Sequence, residues 1–124
     1  MLKDTTIFSS FTTDDIPASK EFYEDILNLN VVVNEMGILE ITVGNTQFVI
    51  YPKDDHAPAK FTVLNFWVDN IKNAVKELTD KGVKFEQYND PIKTDEQGIF
   101  WGAPGPKIAW FKDNAGNILS LIDE

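Results

Sequence analysis

One pattern of apolar, capping and turn residues occurs twice in this chain of 124 residues. Phe11-Thr12-Thr13-Asp14-Asp15-Ile16 aligns with Phe66-Trp67-Val68-Asp69-Asn70-Ile71 at a shift of 55 positions, and Gly44-Asn45 aligns with Gly116-Asn117 at a shift of 72. The second copy therefore carries 17 extra residues (72 less 55) between its helix and its last strand. They belong in the stretch Asn89 to Pro106, which holds Pro91, Gly98, Gly102, Pro104, Gly105 and Pro106. A duplicated unit that leaves one sheet face bare must bury that face against a second copy. The repeat thus predicts one domain over residues 1–124, built from two modules of about 1–57 and 58–124.

Each module reads β-α-β-β-β. In the first, Thr6 to Phe11 is a turn-free, β-prone run. Asp15-Ile16-Pro17 then supplies an acidic N-cap and a proline in the first helical turn. Ile16, Phe22, Tyr23, Ile26 and Leu27 follow at helical spacing. Val31 to Val33, Ile38 to Val43 and Thr46 to Tyr51 complete the module, with Gly44-Asn45 as a hairpin turn. Pro52 to Lys60, which contains His56, reads as a linker. In the second module Phe61 to Val68 is a strand. Asp69 or Asn70 caps a helix with Ile71, Ala74, Val75 and Leu78 on one face, and Lys81-Gly82 stops it. Val83 to Tyr88, Lys107 to Lys112 and Asn117 to Ile122 are the remaining strands.

Composition removes much catalytic chemistry. There is no cysteine and no arginine, and His56 is the only histidine. Disulfides, thiolate catalysis, two-histidine metal sites and bidentate arginine clamps are therefore all excluded. The net charge of −9 disfavours nucleic acid and anionic membranes and favours encounter with cations. The N-terminal residues lack the apolar run of a signal peptide and nothing approaches a bilayer-spanning length, so a cytoplasmic location is expected. Asp14-Asp15, Asp54-Asp55 and Asp95-Glu96 are better explained by capping and solvation than by catalysis. Glu40, in mid-strand, reads as an exposed charge, or as a general base if its face is enclosed.

Asp15-Ile16-Pro17-Ala18-Ser19-Lys20-Glu21-Phe22-Tyr23 resembles the first-helix signature of the vicinal oxygen chelate superfamily, which contains glyoxalase I, bleomycin-resistance proteins, fosfomycin-resistance enzymes and extradiol dioxygenases. Ala109-Trp110-Phe111-Lys112-Asp113-Asn114-Ala115-Gly116-Asn117-Ile118-Leu119 is similar to its C-terminal signature, with Asn114 in place of the usual proline. The resemblance covers essentially the whole chain. It implies an α+β fold in which the two βαβββ modules form a U-shaped, partly closed mixed sheet around a pocket, with the helices outside. It also implies a homodimer, the modules pairing within a chain or exchanged between chains. The family's metalloenzymes hold a metal at four sheet positions, which by the shifts above fall on Phe8, Phe48, Val63 and Ser120. None is an ordinary ligand for a divalent metal, and neither neighbouring register supplies His, Asp or Glu. His56, in the linker, adds at most one nitrogen. No metal or other cofactor is expected.

Alternation along each strand extends those positions to a face. The first strand contributes Phe8, Ser10 and Thr12, the fourth Phe48 and Ile50, and the first strand of the second module Val63, Asn65 and Trp67. The last strand contributes Ile118, Ser120 and Ile122, and the resemblance places Trp110 and Ile108 beside them. Phe11, Phe66, Phe111, Leu119 and Leu121 fall on the opposite parity, under the helices. The face forms either an aromatic ligand pocket or a filled core. Phe100 and Trp101 in the inserted stretch form either a lid or a dimer contact.

Three functions are compatible with this pattern. The favoured one is a metal-independent small-molecule-binding protein that sequesters an aromatic or cationic compound in an apolar aromatic pocket. The second is a metal-dependent glyoxalase-like lyase or dioxygenase-type enzyme, which the absent ligands disfavour. The third is a non-catalytic scaffold or regulatory module. No residue is assigned a catalytic role.

Overall fold

The structure, a computed structural model, describes residues 1–124. It consists of two compact units, Met1–Ala57 and Pro58–Glu124, each of which carries one sheet. No helix is long and apolar enough to cross a membrane.

The first unit contains β1 (Ser9–Thr13), α1 (Ile16–Glu21) with a π-helical continuation over Phe22–Ile26, β2 (Asn30–Val33), β3 (Leu39–Val43) and β4 (Thr46–Pro52). The sheet order is β1-β4-β3-β2, with β1 parallel to β4 and the other pairs antiparallel. Asp15 caps α1 by accepting from Ala18 N at 3.0 Å, and Pro17 lies in the first turn, where its missing N–H costs nothing. Across the helix–sheet junction, Ser19 Oγ donates to Thr13 Oγ1 at 2.8 Å, and both residues are fully buried. Tyr23 is the centre of the core and stands edge-on to Phe22 and Phe48. Leu39, Ile41 and Ile50 complete it.

The second unit contains β5 (Thr62–Trp67), α2 (Ile71–Asp80), β6 (Ile99–Trp101), β7 (Lys107–Lys112) and β8 (Ile118–Asp123), in the order β5-β8-β7-β6. The parallel β5–β8 and antiparallel β7–β8 pairs repeat the plan of the first unit. Helix α2 has two N-terminal acceptors: Asn70 takes Asn73 N and Asp123, at the end of β8, takes Ile71 N, each at 3.1 Å. Helix α2 packs on β7 and β8, and Ile71 and Val75 are buried there together with Ala109, Phe111, Leu119 and Leu121 of those strands. The Asp113–Asn117 turn closes on the Asp113 carboxylate, which accepts from Ala115 N, Asn117 N and Asn117 Nδ2 at 2.9 Å.

The sequence expectation for Val83 to Tyr88 and for the inserted stretch needs correction. Val83–Tyr88 is not a strand. It touches the sheet through one bridge, Phe85 opposite Phe111, with Glu86 N donating to Trp110 O at 2.8 Å. Extending that register would bring residue 87 opposite Ala109, but Ile99 occupies the place. The edge of β7 is therefore shared by two segments, and the insertion is an excursion of 12 residues (99 less 87) within what would be one edge strand.

The excursion is closed at its base by its own polar groups. Thr94 N donates to Tyr88 O at 3.1 Å and Tyr88 N to Thr94 Oγ1 at 2.8 Å. Asp95 accepts from Gln97 N, Ile99 N and Trp101 Nε1, each at 2.9 Å. Gly98 is required there: its φ is +89°, and a Cβ would lie 2.7 Å from Phe85 Cβ. Partial burial works against the Asp95 charge, yet those hydrogen bonds outweigh it and hold the carboxyl below its ordinary range.

Because the folded value is depressed, the contribution of Asp95 to stability is present above the unfolded carboxylate pKa of about 3.9. It is lost as the pH falls through the lower folded value. Asp95→Ala should lower Tm by about 4 °C at pH 7. The gap between variant and wild type should narrow as the pH is taken below about 4. Scanning calorimetry across pH measures both.

Candidate functional site

In each unit one sheet face is covered by its helix and the other is not. Rows of paired residues identify the second face. In the first sheet Ser10, Val49, Glu40 and Val32 form one row across β1, β4, β3 and β2. Thr12 and Tyr51 pair beside it. Phe8, just before β1, and Ser10 are exposed. This face is largely polar. Thr12 Oγ1 lies 2.6 Å from His56 Nδ1, and Asn34 Nδ2 donates to Glu40 Oε2 at 3.2 Å.

Phe48 and Ile50 are not on this face, contrary to the sequence expectation. They pair with Ser9 and Phe11 on the helix-covered side and are 2% and 0% exposed. The Phe48 ring stacks on Phe11 at 5.7 Å and meets Tyr23 at 6.2 Å. The cause lies in the turns. Gly44-Asn45 is a two-residue turn between Val43 and Thr46, whereas Asp113–Asn117 spans five residues between Lys112 and Ile118. An odd difference in loop length reverses which residues of the next strand face which way. By place in the sheet the counterpart of Ser120 is Val49, between Ser10 and Glu40, as Ser120 is between Asn65 and Trp110.

In the second sheet the uncovered face is aromatic. Trp67, Ile122, Ile108 and Phe100 form one row, and Asn65, Ser120 and Trp110 the next. Trp110 lies 6.3 Å from Phe100 and 5.4 Å from Tyr88, which meets it edge-on. Tyr88 was not among the sequence candidates; only its position next to the bridge at Phe85 reveals it. Desolvation, then the charge of Glu86, raises the Tyr88 pKa, so its hydroxyl remains a donor at neutral pH. Trp67 is 72% exposed. Ser120 is fully buried and donates its hydroxyl proton to Asn65 Oδ1. Val63 sits at a β-bulge, where β5 gains one residue against β8.

Trp101 parts from Phe100, as neighbours in a strand must. It pairs with Lys107 on the helix side, with Lys72 Nζ 5.3 Å and Lys107 Nζ 5.6 Å from its ring centre. Both residues are in strand β6, held against β7, and so form no loop lid. A groove of about 710 Å³ between α2 and residues 82–87 also belongs to the helix side. Two of its lining charges, Lys76 and Glu86, are paired with Asp80 and Lys112.

The residues at the family's metal positions do not fit a divalent cation. With Val49 replacing Phe48, the set is Phe8, Val49, Val63 and Ser120, which offers one hydroxyl, already committed to Asn65. No three His, Cys, Asp or Glu side chains come together as a metal-holding group.

The assignment of Phe48 to the core is directly testable. Phe48→Ala should destabilise the protein by about 3–5 kcal/mol in urea denaturation. Val49→Ala, on the open face, should cost less than about 1.5 kcal/mol.

Comparison with known proteins agrees with this architecture. The family model for the Glyoxalase/Bleomycin resistance protein/Dioxygenase superfamily matches residues 7–121. No protein of curated function matches in sequence. Among solved structures, a member of that superfamily from Sphaerobacter thermophilus is 22% identical with a TM-score of 0.77, over 98% of this chain and 99% of that one. TnmS3, an antibiotic binding protein from a Streptomyces species, is 19% identical with a TM-score of 0.71, over 99% and 98%. A lactoylglutathione lyase from Agrobacterium tumefaciens is 16% identical with a TM-score of 0.69, over 97% and 93%. At these identities the likeness speaks for the fold.

Proposed function

Given that the chain belongs to the Glyoxalase/Bleomycin resistance protein/Dioxygenase superfamily, we propose that it is a metal-independent small-molecule-binding protein whose ligand lies on the aromatic face of the second sheet. The observation that carries this reading is the group of rings around Trp110, with Tyr88 and Phe100 beside it and the Asn65–Ser120 pair next to it in the same row. Aromatic side chains supply large, flat contact areas for a planar ligand and an attractive face for a cation. A few fixed polar groups among them set its orientation. The charge of −9 draws cationic ligands to the protein. The fold is shared by proteins of different roles, among them an antibiotic binding protein and a lactoylglutathione lyase. The poor donor set here favours the first kind of role over the second. The protein acts, in this reading, as a cytoplasmic homodimer.

The test is a screen of planar cationic and aromatic compounds, proflavine among them, by tryptophan fluorescence and thermal shift. At least one compound should bind, with an affinity unchanged by EDTA treatment or by added zinc, nickel or manganese. Trp110→Ala should weaken that binding by about tenfold or more while the fold survives, as loss of one buried stacking partner implies. Silence across the screen, or binding that appears only with stoichiometric metal, would overturn the reading. Sedimentation equilibrium decides the oligomeric state.

A further inference from the structure

Asn65, Ser120 and Trp110 stand side by side across β5, β8 and β7 on the open face. Ser120 occupies the middle of this row and has no accessible surface. A buried hydroxyl must place its single proton on an acceptor, and in this site the acceptor is Asn65 Oδ1. That bond fixes which end of the Asn65 carboxamide points inward. The oxygen is occupied from below, and Nδ2, with two protons, donates to no protein group. Asn65 itself is exposed, two residues from Trp67 on the same face.

Resting on the ligand-binding reading above, we propose that Asn65 Nδ2 selects planar aromatic ligands that carry a carbonyl oxygen, and that Ser120 is the positioning residue that aims it. A ring laid over the aromatic rows brings its edge to Asn65. An acceptor on that edge receives the free N–H, whereas a donor or a bare C–H edge leaves the amide unpaired on desolvation. The same geometry explains how Ser120 is retained amid apolar residues: its hydroxyl contacts Asn65, not the ligand.

9-Fluorenone and fluorene test this, since they share three fused rings and differ by the ring carbonyl. Quenching of tryptophan emission gives both affinities. Wild type should bind fluorenone about tenfold more tightly than fluorene. Asn65→Leu, which keeps the side-chain volume and removes the amide that fluorene leaves unpaired, should bind both alike, with fluorene held at least as tightly as by wild type. Asn65→Asp, which presents only acceptors, should reverse the preference. Ser120→Ala should reduce it to about threefold or less without loss of fluorene binding. If wild type binds the two equally, or if Asn65→Leu keeps the preference, the assignment to Asn65 is overturned while ligand binding by the face stands. If neither compound binds, or if Trp110→Ala binds both as wild type does, the aromatic face is not the site and the inference fails with it.

Discussion

A single short helix laid on a four-stranded sheet can bury only one of its two faces, and the arrangement of every other residue follows from that limit. In the first unit the covered face holds Tyr23, Leu39, Ile41, Phe48 and Ile50, and in the second Ile71, Val75, Phe111, Leu119 and Leu121. These are large apolar side chains at positions that alternate with the residues of the other face, as a pleated strand requires. The helices are tied to their sheets by specific polar links as well as by packing. Ser19 bonds to Thr13 in one unit and Ile71 N bonds to Asp123 in the other. What a unit can recognise is therefore carried by the face its helix leaves open.

The two open faces have diverged. The first carries Ser10, Thr12, Gln47, Thr42 and Glu40 among Val49, Val32 and Tyr51, with His56 brought in by its contact to Thr12. The second carries Trp67, Phe100 and Trp110, with Tyr88 joining from outside the strands. Identical topology thus gives one face suited to hydrogen bonding and one suited to stacking. The difference lies in the open-face positions and leaves the core pattern intact, because adjacent residues in a strand serve different faces. The same alternation explains why Phe100 joins Trp110 while its neighbour Trp101 lies with Lys72 and Lys107 on the helix side.

Much of this plan is legible in the sequence, and the exceptions have a common physical origin. The caps at Asp15 and at Asp69 or Asn70, the Gly44-Asn45 hairpin and the alternation along β1, β7, β8 and the part of β5 beyond its bulge depend on local chemistry, and local chemistry is written in neighbouring residues. The parity of β4 is different. It depends on the lengths of the Gly-Asn turns, whose matching dipeptides conceal loops of two and five residues. Nothing in Gly44-Asn45 or Gly116-Asn117 states how long each loop is, so Phe48 and Ile50 fall on the wrong face. The divided edge strand is hidden for a related reason. Whether Val83–Tyr88 or Ile99–Trp101 lies along β7 depends on contacts with residues far away in sequence and on the self-closure of the excursion through Thr94 and Asp95. Val83–Tyr88 has strand-like composition, but composition describes what a segment tolerates and not which neighbour it reaches. Tyr88 is missed with it.

Ser120 shows how a buried polar side chain is accommodated in the middle of a sheet face. In a strand flanked by Asn65 and Trp110, a buried side chain at this place must be apolar or must find a partner. Serine meets the requirement with a single bond to the adjacent strand, and that bond orders an amide which would otherwise rotate freely at the surface. A buried position near the centre of the face thereby acts on an exposed one, and hydrogen-bond direction passes from core to surface through one proton. Replacing the hydroxyl would leave the carboxamide free to present either end, and a site that presents both ends discriminates between neither acceptors nor donors. In the proposed reading, what would make the face selective is the need to satisfy a buried hydroxyl, a constraint present without any ligand.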